Sequence, residues 1–166
     1  MFPLLGAISH APIFGWAKPT PVDTSRLRNP VRDNVYIAAA GPVSNFLAAT
    51  ASLLLLLAFR VVSPAANQIL TGYGGPEAGG SVLMPVILLL HSLMMVNVIL
   101  GVFNLIPIPP LDGGHILEGL LPARARASFA PVKEYGFFLL FFLLWSGGVT
   151  TVLSPFLRFF NSLLRI

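Results

Sequence analysis

The stretch Asn104-Leu-Ile-Pro-Ile-Pro-Pro-Leu-Asp-Gly-Gly-His115 decides how the chain is read. It closes a long apolar run with Pro107, Pro109 and Pro110, then places Asp112 beside Gly113 and Gly114. Pro107 and Pro109 lack an amide hydrogen and clash with the preceding helical turn. Pro110 also disfavours helix at Pro109. A helix arriving here has to unwind near Ile106. Unwound backbone at membrane depth persists only where protein buries it or where it lines a wet cavity. An ionisable residue in such a place points to an ion, proton or metal site. The alternative is local: an aspartate ending one helix and capping the next, "GGHILEGLL", since Asp is a good N-cap. Both readings stand on these residues alone.

Composition supports the membrane setting. Of 166 residues, 55% are hydrophobic and 10% charged, with a mean hydropathy of +0.83. Soluble domains carry roughly 25% charged residues. Three uncharged runs, Asn34–Phe59, Ala78–Leu111 and Tyr135–Leu157, exceed the roughly 20 residues a crossing needs. The expected fold is an all-α membrane protein of about three transmembrane helices, in one membrane-embedded domain over residues 1–166. The second helix is broken at the proline-aspartate motif. An extended or re-entrant segment precedes the first, and "FLRFFNSLLRI" is expected along the membrane surface, with Arg158, Asn161, Ser162 and Arg165 opposite Phe and Leu. The absence of cysteine excludes disulfides and thiolate metal sites. The start, "MFPLLGAISHAPIFGW", lacks the basic leader of a secretory signal and is interrupted by Pro3, Gly6 and Pro12.

The net charge of +4 comes from short loops, so orientation explains it better than nucleic acid does. Lys18, Arg26, Arg28, Arg32, Arg124, Arg126 and Lys133 share one side of a three-span layout; Arg60, Arg158 and Arg165 lie on the other. The basic-rich side, holding residues 17–33 and 112–134, is expected to be cytoplasmic. The first span carries Ala38, Gly41, Asn45, Ala48, Ala49 and Ser52 on one face, which suits close helix packing. Asn45 on that face needs a polar partner. Asn97, Gly101 and Asn104 form a stripe on the second span, leading to the prolines. His91 lies off that stripe and reads as a hydrogen-bonded packing residue.

These motifs carry a resemblance. "NLIPIPPLDGGH" resembles the N-x-x-P-x-P-x-L-D-G-G signature of the site-2 protease family of intramembrane zinc metalloproteases. "FGWAKPTPVD", Phe14 to Asp23, resembles its G-W-A-K-P-x-P-V segment, and "AAAGPVSNFL", Ala38 to Leu47, its A-G-P-x-x-N motif with Gly41, Pro42 and Asn45. The resemblance implies hydrolysis of peptide bonds in or near transmembrane segments by a multi-pass protein of a bacterial or archaeal cell membrane. It implies one zinc ion with Asp112 as a ligand, and Asn104 positioning substrate or water. Trp16, Lys18 and Pro19 are candidate substrate contacts. Pro19 and Pro21 hold their predecessors extended, so this segment offers an edge to which an unwound substrate could add. Crosslinkers at Ala17 and Thr20 that never capture substrate would refute that.

The sequence departs from the family in one respect. Its histidines are His10, His91 and His115, and none precedes a glutamate. The H-E-x-x-H motif that supplies the other two ligands and the general base is therefore absent. The family places that helix upstream of G-W-A-K-P, so the expectation is a longer protein of which this chain holds the Asp112 half. The alternatives are a non-catalytic pseudoprotease or membrane scaffold, a transporter subunit built on a broken helix, and substitute ligation by His10, His91 or His115. Nothing in the histidine spacing supports the last. The expected partners are the lipid bilayer and transmembrane protein or peptide substrates, with no nucleic acid.

Overall fold

In the computed structural model the described residues are 29–72 and 83–165. Every element among them is a helix. Helix α1 runs Pro30–Val62. Pro30 sits in the first turn, where a missing N–H costs nothing. Asp33 accepts from the Asn29 backbone N–H at 3.1 Å and donates its own N–H to the Asn29 carbonyl at 2.8 Å. The helix stops at Ser63, which Pro64 forces into an extended conformation (φ −124°, ψ 115°). The Ser63 side chain then caps α2, Pro64–Thr71, by accepting from the Ala66 N–H at 3.3 Å.

Helix α3, Leu83–Asn104, packs along α1. Their shared core holds Ala49, Leu53, Leu56, Ile87, Met94, Val98 and Val102. The small face expected on α1 is the packed one: Ala38, Ala49 and Ser52 are buried. Gly101 of α3 lies under the Phe46 ring, where a Cβ would come within 3.1 Å of it. Without a hydrophobic drive between helices in lipid, such close approach is what holds them together. Leu47, Leu54, Leu55, Leu88 and Leu89 face outward, as a bilayer-covered surface requires. Both α1 and α3 are long and apolar enough to cross a membrane.

The rest is α4 (Asp112–Leu120), α5 (Ala123–Ser128), α6 (Ala130–Trp145) and α7 (Gly148–Arg165). The third uncharged run, expected as one helix over 135–157, is two. Helices α6 and α7 are bent by 67° and make a third crossing only if counted together. The cause is Ser146-Gly147-Gly148: Gly147 adopts φ +75°, a left-handed conformation that ends helices and favours glycine.

The tail is helical, as expected: residues 156–165 continue α7. Leu153, Leu157, Phe160, Leu163 and Leu164 pack into the α1–α3 core, while Phe156 and Phe159 stay exposed. Asn161, expected on the polar side, turns inward: its Oδ1 pairs with His91 Nε2 at 3.1 Å and its Nδ2 donates to Met95 Sδ at 3.7 Å. His91 is the packing residue that the sequence suggested.

Candidate functional site

The site is built where α3 ends. After Asn104 the backbone leaves the helix through bonds from Leu105 N–H to the Gly101 and Val102 carbonyls and from Ile106 N–H to Phe103 O at 3.1 Å. Residues 105–111 are non-helical, with tight turns closed by Ile108 N–H to Ile106 O (2.7 Å) and Leu111 N–H to Ile108 O (3.0 Å). The Pro109–Pro110 peptide is cis. The loop is clamped rather than loose. Ile106 and Leu111 are buried with Val149, against Phe103, Ile108, Leu140, Leu143 and Leu153. The loop is thus anchored by Ile106, Pro109 and Leu111, while Leu105, Pro107 and Pro110 stay exposed.

Two glycines allow α4 to dock on that loop. A Cβ on Gly113 would meet the backbone carbonyls of Leu105 and Ile106, and one on Gly114 would lie 2.5 Å from Pro109 N. They serve backbone packing, not room for a ligand beside the carboxylate. That room comes from elsewhere. Asp112 Oδ2 lies over Gly41 of α1, where a Cβ would approach to 3.0 Å. The two motifs, far apart in sequence, therefore meet in the fold.

The capping alternative for Asp112 does not hold. Leu111 is the N-cap of α4, no side chain caps that end, and Asp112 occupies the first helical turn. Its carboxylate is half-buried and takes part in no hydrogen bond or ion pair among the described residues. Gly41 lies seven residues into the uncharged run from Asn34, which is about 10 Å along the helix axis.

Pro42 is buried next to Gly41; Asn45, one turn on, is half-exposed, as is Asn104 at the end of α3. Neither amide hydrogen-bonds within the described residues. Pro107 is exposed on the loop and Pro109 buried. Trp16, Lys18, Pro19 and His10, with the whole "FGWAKPTPVD" segment, lie outside the described residues. His115 lines a cleft of about 300 Å³ with Asn34, Glu118, Arg126 and Lys133. There Lys133 pairs with Glu118 at 2.6 Å. Arg126 donates to the Glu118 and Leu121 carbonyls at 3.2 and 3.1 Å, closing the α4 C-terminus. Sequence reasoning missed Gly136, whose Cα packs against the Pro109 carbonyl and locks α6 to the loop. A lone glycine inside the aromatic run "EYGFFLLFF" was the available signal.

Among the described residues no three His, Asp or Glu side chains converge on one point. They fit one corner of a zinc site: a carboxylate with free oxygens in a glycine cradle. They do not form a whole one, since a catalytic zinc takes three protein ligands.

The profile of peptidase family M50 matches residues 7–147. The chain belongs to this family, the site-2 protease family. The M50 chain is 32% identical over 164 residues to YwhC of Bacillus subtilis strain 168, named as an inferred zinc metalloprotease; the match covers 91% of this chain and 69% of YwhC. A Streptococcus pyogenes serotype M3 protein of the same kind of name is 35% identical over 89 residues, 46% of this chain and 20% of that protein. One from Streptococcus pneumoniae strain R6 is 46% identical over 46 residues, 28% of this chain and 10% of its own length. The M50 chain thus spans about two thirds of the first and a fifth or less of the others. No solved structure matches it significantly.

Proposed function

We propose that this M50 chain carries the aspartate half of an intramembrane zinc metalloprotease that cleaves transmembrane segments or their stubs. The observation that supports this best is the placement of Asp112. An uncommitted carboxylate rests on Gly41, about 10 Å inside an apolar span, at the point where the chain leaves the proline loop for α4. Asp112 would supply one zinc ligand, and two histidines of an H-E-x-x-H helix would supply the others. A zinc so held would supply Lewis acidity toward a water and a peptide carbonyl. Within this chain, Gly41 sets how closely Asp112 can sit to α1, and the Asn45 and Asn104 amides are free to hold a peptide backbone or water. The end bearing Asp112 faces the cytoplasm in this reading, on the distribution of Lys and Arg.

The test is metal analysis of the purified 166-residue chain beside the same chain joined to an upstream H-E-x-x-H helix. The short chain should hold no stoichiometric zinc and cleave nothing; the extended one should do both. Zinc and proteolysis from the short chain would show that ligands among His10, His91 and His115 had been overlooked. An extended chain that binds no zinc would favour the scaffold reading instead.

A further inference from the structure

We propose that the junction of α1, α2 and α7 is a binding site for an anionic phospholipid, its phosphate held by Arg60. This inference does not depend on the protease reading. Arg60 lies 19 residues beyond Gly41 on α1, about 28 Å along the axis and so roughly one hydrocarbon thickness away. It sits at the opposite membrane face from Asp112.

Two contacts hold the guanidinium in place. Arg60 Nε donates to Asn67 Oδ1 at 3.1 Å, and Nη1 donates to the Leu164 carbonyl at 2.7 Å near the C-terminus of α7. Of the five N–H donors a guanidinium presents, three remain. No carboxylate pairs with Arg60 among the described residues. A fixed cation with free donors and no carboxylate partner among the described residues, at the edge of an apolar span, is suited to an anion. Guanidinium geometry suits phosphate oxygens in particular.

The surroundings select an amphiphile over a free ion. A pocket of about 670 Å³ opens beside Arg60, lined by Leu57, Arg60, Val61, Asn67 and Leu163. Its polar groups lie together at Arg60 and Asn67. The remaining walls are aliphatic, and Val61 is 86% exposed. A phosphate at the polar end leaves an acyl chain to run over Leu57, Val61 and Leu163. Free phosphate would gain nothing from those walls.

Native mass spectrometry of the purified chain, released from micelles doped with phosphatidylglycerol or phosphatidylcholine, tests the proposal. Phosphatidylglycerol should be retained about fivefold over phosphatidylcholine, the factor for about 1 kcal/mol from one basic group. Arg60→Gln should abolish that preference. Arg60 also ties α2 and α7 to α1, so a second variant guards against misfolding. Val61→Trp fills the aliphatic wall, leaves Arg60 and its contacts in place, and should lower retention of phosphatidylglycerol. Equal retention of the two lipids, or a preference that survives both variants, overturns the proposal. So does displacement of the lipid by inorganic phosphate alone, which would make the site one for a free anion.

Discussion

Under the proposed function, Asp112→Asn, made in the chain joined to an upstream H-E-x-x-H helix, is expected to abolish zinc retention and proteolysis together. Asparagine has the shape of aspartate, so the fit against Gly41 is kept while the charge is lost. Substitutions of outer-shell groups around metals typically cost 10–100-fold in affinity or activity. A direct ligand should cost more, so a loss beyond about 100-fold is expected. The fold should hardly register the change. Only the interaction of one charge with the α4 N-terminus is lost, about 0.3–1 kcal/mol. Zinc content, cleavage of a transmembrane substrate and thermal unfolding, measured on the same preparation, separate these effects. Normal zinc content with normal cleavage would remove Asp112 from the metal site. Parallel loss of zinc and folding would make it a structural residue.

The second large effect falls on stability. Gly113→Ala should destabilise the domain severely, although alanine is the better helix former. The new Cβ would be driven into the Leu105 and Ile106 carbonyls, and these belong to backbone clamped by Ile106, Leu111 and Val149. Neither side can yield without moving α4 off the proline loop. Overpacking of this kind costs typically 1–3 kcal/mol, and more where backbone must shift. Leu54→Ala, on an outward-facing position of α1 that is 60% exposed, is the matched control and should change little. Denaturant titration in micelles reads both. An unchanged midpoint for Gly113→Ala would mean that α4 does not dock as described.

Much of this arrangement was legible in the sequence because its causes are local. Pro107, Pro109 and Pro110 end a helix through their own chemistry. The small residues at Ala38, Ala49 and Ser52 fall on one face by spacing alone, and that face is the one α3 covers. The bend in the third run is also local, set by Gly147, but the lack of any charge from Tyr135 to Leu157 masked it. What the sequence could not give was pairing across distance. Whether Asp112 capped a helix or faced a cradle depended on where α4 lies against α1, and no short-range signal records that. The inward turn of Asn161 toward His91 and the contact of Gly136 with Pro109 are of the same kind. The candidate metal site was only partly legible, because a single candidate ligand fixes neither coordination number nor geometry.

The contact between position 41 and the Asp112 carboxylate makes those two positions mutually dependent. A methyl group added at 41 would press on the carboxylate oxygen, yet in an Asp112→Ala background it would meet open space. Gly41→Ala should therefore gain the roughly 0.8–1 kcal/mol of helix propensity in full only in the double variant, and less of it alone, where the carboxylate has to swing aside. The non-additivity should lie in the 0.5–3 kcal/mol range usual for touching residues. A descendant that had lost the carboxylate would be released to accept larger residues at 41. Drift at one position would then be licensed by loss at the other, in that order and not the reverse.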